Sequence, residues 1–311
     1  MTIDVHGHVT SPELFKKFPM PASLADIDGM IERKASLGIT LTIVGSPVGA
    51  GTMVPVPGMD NYDQPEDKLD QFHDWVAETV RSHPGALKGY LYLNPLVGGQ
   101  TVARAADRLR QEEFVGLIVN TSVRGEFLDD ERAADFFAMA AETRAPVLLH
   151  PPTVPVGANA VKRVGAVEHV ARPCDITMGV AAILFAGWLT RFPTLKLIVP
   201  NAGGALALLR EKLVMAQRRD GIEGPPVSEQ LRRIYVDTAT PSPVALAAAL
   251  EVFGADRMLF GTDSPPLATP LDAALAAIDR LPLNDSQRAR VLSGNARSLF
   301  GLDGADLRRA S

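Results

Sequence analysis

The chain has 311 residues, 46% of them hydrophobic and 22% charged, the range of an ordinary globular protein rather than of a disordered or membrane-embedded one. A formal net charge of −5 gives no basic footprint for nucleic acid or an anionic membrane surface. The single cysteine, Cys174, excludes an intrachain disulfide, and with no basic-then-apolar leader visible a cytoplasmic location is expected.

Short β-branched or leucine-rich runs recur along the chain, each followed by a helical pattern. The expected strands are residues 3–6, 39–44, 88–93, 115–119, 146–150, 195–199, 234–237 and 258–261. The expected helices are 24–37, 66–82, 102–111, 131–143, 205–218, 243–253 and 271–280. Ser23 followed by Asp26 fits the N-cap of the first helix with an acidic third position. The longest apolar stretch, 176–189, is too short to span a bilayer and reads as a buried helix. Near-continuous apolar strands alternating with helices imply parallel strands buried on both faces. Eight such units fit one distorted (β/α)8 TIM barrel domain covering residues 1–311. A doubly wound open sheet is the rival, weakened because no Gly-x-Gly-x-x-Gly follows an early strand. Residues 45–65, rich in Gly and Pro, read as a lid inserted after strand two, and 151–173 as a long loop after strand five. Both leave the C-terminal ends of strands, the face on which barrel active sites are built.

Polar residues gather at those same ends. His6 and His8, two apart on strand one, share a side of the backbone because side chains alternate with period two. His150 ends strand five, Asn201 follows strand six and Asp263 follows strand eight. Three imidazoles and a carboxylate make a nitrogen–oxygen ligand set for one divalent metal, Zn²⁺ first and Mn²⁺ second, with positions left for water or substrate. Of the six histidines, His73 lies in a helical pattern beside Phe72 and Trp75 and is expected to be structural. His83 precedes Pro84 at a helix end, and His169 sits in the long loop within reach of the mouth. Asn94 and Asn120 stand just past strand ends as polar wall residues, and Met53, Val54, Val56 and Met59 would give the lid an apolar underside. Arg124, Arg163, Arg210 and Lys212 are the cations considered for a substrate carboxylate. Taken singly, each of these would serve as well in a core or on a surface.

Several motifs carry a more specific signal. They are Asp4-Val5-His6-Gly7-His8; Phe114-Val115-Gly116-Leu117 followed by Leu128-Asp129-Asp130; and Pro146-Val147-Leu148-Leu149-His150-Pro151. Further along come Arg191-Phe192-Pro193-Thr194-Leu195-Lys196, Tyr235-Val236-Asp237-Thr238, Leu259-Phe260-Gly261-Thr262-Asp263-Ser264-Pro265, and Gly294-Asn295-Ala296-Arg297-Ser298-Leu299-Phe300-Gly301-Leu302. Over nearly the whole chain this pattern resembles the amidohydrolase superfamily, in the branch of aminocarboxymuconate-semialdehyde decarboxylase and the metal-dependent hydroxybenzoate decarboxylases. The resemblance implies metal ligation by His6, His8, His150 and Asp263, and a homodimer acting on a small carboxylic acid. It implies non-oxidative decarboxylation of an aromatic or unsaturated acid, with Asp263 as both ligand and proton donor. Substrate contacts then fall to Asn120, Arg124, Met53, Met59 and Lys212, the last near a family position that at times serves a neighbouring subunit.

One position departs from the pattern. The family histidine after strand six, in a His-x-Gly-Gly motif, is Asn201 here. Asparagine donates and accepts hydrogen bonds but exchanges no proton near neutral pH. Asp263 and Asn201 are accordingly the expected catalytic pair. A metal-dependent hydrolase of a lactone, amide or ester is the second expectation, with water activation left to Asp263 alone. A catalytically altered binding protein, or an unusual lyase or cyclase on the same fold, is the third.

Overall fold

A computed structural model describes residues 1–267 and 270–302. Eight strands form one parallel sheet in chain order: β1 (Thr2–His8), β2 (Ile39–Gly45), β3 (Leu87–Tyr92), β4 (Phe114–Asn120), β5 (Val147–His150), β6 (Leu197–Val199), β7 (Tyr235–Asp237) and β8 (Met258–Leu259). The order is monotonic and its ends meet, Val5 N–H donating to the Phe260 carbonyl at 3.0 Å. This is the expected (β/α)8 barrel, not a doubly wound open sheet. Strand starts and ends fall within two residues of those expected. The exception in kind is β8, which leaves the ladder early because Phe260 N–H turns to the Val291 carbonyl.

Two apolar layers hold the barrel, as parallel strands buried on both faces require. Inside, Ile3, Val5, Leu41, Ile43, Tyr90, Ile118, Leu148, Ile198 and Leu259 pack together. The helix Asn295–Phe300 plugs the N-terminal end of this layer with Ala296, Leu299 and Phe300, and Lys196, just ahead of β6, donates to the Leu299 carbonyl. Outside, Val44, Leu91, Leu117, Val119, Leu149, Val199 and Val236 meet the helical shell. That shell includes α1 (Ile27–Ala35), α2 (Glu66–Ser82), α3 (Gln100–Arg108), α4 (Ala134–Thr143), α5 (Arg172–Phe185), α6 (Leu206–Arg219), α7 (Pro243–Phe253) and α8 (Leu271–Asp279). Fixing one polar end of the barrel with a packed plug leaves the other end, at the strand C-termini, for chemistry.

Two local expectations are corrected. The cap of α1 is Asp26, whose carboxylate accepts from Gly29 N–H; Ser23 lies in a separate 3-10 turn, Ala22–Leu24. The apolar run 176–189 is not one helix, because α5 stops at Phe185 and Gly187, at φ 75, turns the chain into the short helix Trp188–Arg191. No helix among the described residues is long and apolar enough to cross a membrane.

His73 is structural, as expected. It is buried on α2, and its Nε2 accepts the Tyr92 N–H at 3.2 Å, joining the helix to the end of β3. Burial, helped by the Arg108 guanidinium, pushes its pKa down to about 3. The unfolded chain therefore takes up a proton near pH 6.5 that the folded chain refuses until about pH 3. This group's contribution to stability is complete above pH 6.5 and is lost as pH falls below it, at about 1.4 kcal/mol per pH unit. Urea titrations at pH 7, 6 and 5 should show the slope of stability against pH flattening by about one proton in His73→Gln. Equal slopes in the two proteins would show that His73 is not the group responsible.

Candidate metal centre

A β-bulge in β1 sets the centre. The pairing with β2 runs from Asp4↔Thr42 to Gly7↔Val44, three residues of β1 against two of β2. Without that extra residue, His6 and His8 would share a face with Asp4 and oppose Ile3 and Val5. With it, Ile3 and Val5 fill the barrel interior while His6 and His8 also turn to its mouth. His150, the last residue of β5, and Asp263, in left-handed backbone (φ 53) beyond β8, come to the same place.

One donor atom from each of His6, His8, His150 and Asp263 lies within 4.8 Å of all the others. His6 Nε2 is 3.1 Å from His8 Nε2 and 3.4 Å from Asp263 Oδ1, which is 3.0 Å from His8 Nε2. The three rings stand nearly perpendicular, with interplanar angles of 86–88°. The other nitrogen of each ring is already committed. His6 Nδ1 donates to Asp237 Oδ2 at 2.6 Å, His8 Nδ1 to the Gly45 carbonyl at 3.2 Å, and His150 Nδ1 to the Pro151 carbonyl at 2.8 Å. Carbonyls only accept, so the Nδ1 of His8 and of His150 carries the proton and their Nε2 lone pairs face inward.

This donor set fits a divalent cation. Bonds of about 2.0–2.1 Å in a tetrahedron give ligand–ligand edges of about 3.4 Å, close to the 3.0–3.4 Å among His6, His8 and Asp263. The electrostatics agree. Burial pushes His6 down, but the Asp263 and Asp237 carboxylates outweigh it and leave the ring at about 9. Burial lowers His8 against the pull of Asp263, and lowers His150 well below its ordinary value, with His8 adding to the effect. Burial pushes Asp263 up, yet the facing imidazoles hold it well below the usual carboxylate range. The Asp263 and Asp237 carboxylates thus favour positive charge beside them, while burial disfavours it on the His8 and His150 rings themselves.

The residue that sequence reasoning left without a role is Asp237, buried at the end of β7. Its Oδ2 orients His6, and its Oδ1 accepts the N–H groups of Asn201 and Ala239 at 2.8 and 3.0 Å. A buried aspartate closing an apolar strand, in Tyr235-Val236-Asp237, was the available signal. Asn201 is held at the β6 exit in left-handed backbone (φ 55), and its side chain makes no hydrogen bond among the described residues. Asn120 is buried beside the centre and donates to the His150 carbonyl at 3.4 Å.

The two excursions meet each other. Asn61 of the 45–65 segment donates to Thr153 Oγ1 at 3.0 Å and to the Thr52 carbonyl at 2.9 Å, and Thr153 donates to Thr52 at 3.2 Å. Between them lies a cavity of about 590 Å³, walled by Val54, Val56, Met59, Tyr62, Arg124 and Val156 among others. Met53 is half-buried and is not among its walls. Arg124 sits at the tip of a short ribbon, Ser122–Val123 with Glu126–Phe127, and pairs with Asp60 of the excursion at 2.7 Å. Asn94 supports the same segment, donating to the Tyr62 carbonyl at 3.3 Å. Lys212 is exposed on α6, and Arg210 beside it pairs with Glu211. The expected loop 151–173 is corrected: it is helical from Val164 on, with Arg163 exposed just ahead of that point and His169 exposed in the π-helical turn Val167–Ala171 that runs into α5. His83 caps α2 and meets Asp28.

Known proteins are similar to this chain in sequence and in fold. It is 22% identical over 263 residues to the 2-amino-3-carboxymuconate-6-semialdehyde decarboxylase of Dictyostelium discoideum, covering 80% of this chain and 71% of that one. The crystal structure of 5-carboxyvanillate decarboxylase from Sphingomonas paucimobilis superposes with a TM-score of 0.82 at 19% identity, over 97% of this chain and 99% of that one. The dihydroxybenzoic acid decarboxylase of a Polaromonas species, solved with manganese and 2-nitroresorcinol, gives 0.76 at 19% identity over 98% of each chain. The family model described as amidohydrolase matches residues 3–302, from the strand that carries the two histidines to the end of the helical plug. The chain belongs to the amidohydrolase family.

Proposed function

We propose that the protein is a metal-dependent, non-oxidative decarboxylase of a small aromatic carboxylic acid. The observation that carries this reading is a three-imidazole, one-carboxylate centre with no further histidine beside it among the described residues. His73, His83 and His169 all lie elsewhere. Such a site can hold an acid and move a proton from a carboxyl group, but it has no spare imidazole to activate water. The names of the relatives point the same way.

His6, His8, His150 and Asp263 would hold one divalent cation, Zn²⁺ by donor type or Mn²⁺ as the alternative. When bound, it supplies Lewis-acid stabilisation and orientation of the substrate oxygens. Asp263 delivers a proton to the ring carbon bearing the carboxylate and is reprotonated from water, so one proton enters the product for each carbon dioxide released. The carbon–carbon bond then breaks, its electron pair returns to the ring, and carbon dioxide leaves. Asn201, with its amide unengaged, hydrogen-bonds a substrate oxygen, and Asn120 backs the wall behind His150. The 45–65 segment, with Met53 and Met59, would act as a lid that meets the substrate ring, and Arg124, which lines the cavity under it and pairs with Asp60, would steer the carboxylate. Lys212, on the outer side of α6, would serve a neighbouring subunit in a homodimer.

Protein purified without chelator and supplied with Zn²⁺ or Mn²⁺ should carry about one equivalent of metal by elemental analysis. His8→Ala and His150→Ala should each lower that content sharply, and unchanged content in both would sink the assignment. In a screen of hydroxybenzoic acids, turnover should release carbon dioxide. Asp263→Asn should abolish it even when metal is restored, since an amide delivers no proton. Asn201→Ala should cost about 1–3 kcal/mol, roughly 5- to 150-fold in rate. Asn201→His should gain little, and a large gain on ester or lactone substrates would favour hydrolysis instead. Shortening the segment around Met53 and Met59 should raise KM while leaving metal content intact; unchanged kinetics would refute the lid.

A further inference from the structure

Beneath the centre, on the opposite side of β1, lies a buried charge pair that the reaction does not use. Lys34, on α1, is almost wholly buried, and its Nζ donates to Asp4 Oδ2 at 2.7 Å. Every other hydrogen bond to the Asp4 carboxylate comes from a residue at or beside a proposed ligand. Oδ1 accepts the backbone N–H of His6 at 3.0 Å and that of Thr262 at 3.0 Å. Oδ2 accepts the Thr262 hydroxyl at 2.6 Å. Thr262 Oγ1 in turn accepts the N–H of Ser264 at 3.2 Å, so the two contacts bracket Asp263 and hold it in its left-handed conformation.

The place matters as much as the partners. β1 and β8 end the sheet order, and Asp4 bridges 258 residues of chain across the seam between them. Room for the ammonium is made by Gly7, between the two histidines. A Cβ there would lie 3.4 Å from Lys34 Nζ and only 2.7 Å from Thr42 Cγ2. Asp4, opposite in parity to Ile3 and Val5, faces α1, and the bulge that follows it is what turns His6 and His8 to the mouth instead.

We infer that Lys34 and Asp4 form a charged clamp that closes the barrel seam and sets the spacing between the His6–His8 pair and Asp263. Lys34 is thus a positioning residue for the metal centre, an inference that rests on the metal site proposed above. The ammonium pairs with Asp4 and seats it beneath the ligands. Groups that orient metal ligands without touching the metal commonly change affinity by about 10- to 100-fold when removed.

The test uses Co²⁺, whose visible absorption reports ligand geometry, on the full chain freed of metal. Lys34→Met should weaken Co²⁺ affinity by about 10- to 100-fold and shift the absorption bands, with Lys34→Arg closer to the wild type. The double variant Asp4→Asn with Lys34→Met leaves no charge buried alone, so its metal-free melting temperature should stay near the wild-type value. Its Co²⁺ affinity and bands should nevertheless remain altered, because one amide oxygen cannot replace two carboxylate oxygens. Thr262→Val, which removes only the hydroxyl, should show a smaller change of the same kind and covers the case in which Lys34→Met fails to fold. Wild-type affinity and unchanged bands in folded Lys34→Met, in the double variant or in Thr262→Val would overturn the clamp. A wild-type chain that binds no Co²⁺ at all would instead overturn the metal centre, and the clamp with it.

Discussion

Closure of the barrel at the seam between its first and last strands is the constraint on which the centre depends. His6 and His8 lie near one end of the chain and Asp263 near the other, yet their donor atoms sit 3.0–3.4 Å apart. Strand pairing alone does little to hold them there, since β8 is only two residues long. The polar bridge through Asp4, the Val5–Phe260 backbone bond and the apolar interior shared by Ile3, Val5 and Leu259 hold the two edges together. An opening of the seam would separate the Asp263 carboxylate from the Nε2 atoms of two buried imidazoles, and losing a polar partner in the interior is costly.

From that constraint the polar architecture follows outward. Each ligand imidazole is oriented by a group on another strand or loop: His6 by Asp237 of β7, His8 by Gly45 of β2, His150 by the loop it begins. Asp237 then reaches on to Asn201 and Ala239, so one buried carboxylate ties β1, β6 and β7 into the same mouth. Such outer partners fix tautomer and ring angle in advance of any cation, so little rearrangement is left for binding. The surrounding excursions start from the Gly45 and Pro151 carbonyls that orient His8 and His150, and farther out are stitched to each other by Asn61, Thr52 and Thr153.

The departure at Asn201 gains meaning in this setting. Its backbone remains part of the network, donating to Asp237 at 2.8 Å, while its side chain is free of hydrogen bonds among the described residues. The position therefore keeps its structural duty whatever side chain it carries. What changes is the chemistry offered to a substrate: a neutral amide instead of a group that can shuttle protons.

Much of this was legible in the sequence because it depends on local periodicity and residue type. The alternation of apolar runs with helical patterns specifies the barrel, and three histidines and an aspartate at strand ends specify the donor set. Even the structural role of His73 follows from its apolar neighbours on α2. Other features depend on contacts across hundreds of residues. Period two says that His6 and His8 share a face, but not that the face is the barrel mouth, since Ile3 and Val5 have the opposite parity and also lie inside. Only the bulge, set by the register against β2, reconciles the two. Likewise Arg124 reads as a free cation until Asp60 is found beside it, and Asp26 displaces Ser23 as a cap because it alone reaches the Gly29 N–H. Residue type and spacing determined which groups this protein has for chemistry; closure of the barrel decided which of them meet, because register and seam contacts are properties of the whole sheet and of no segment within it.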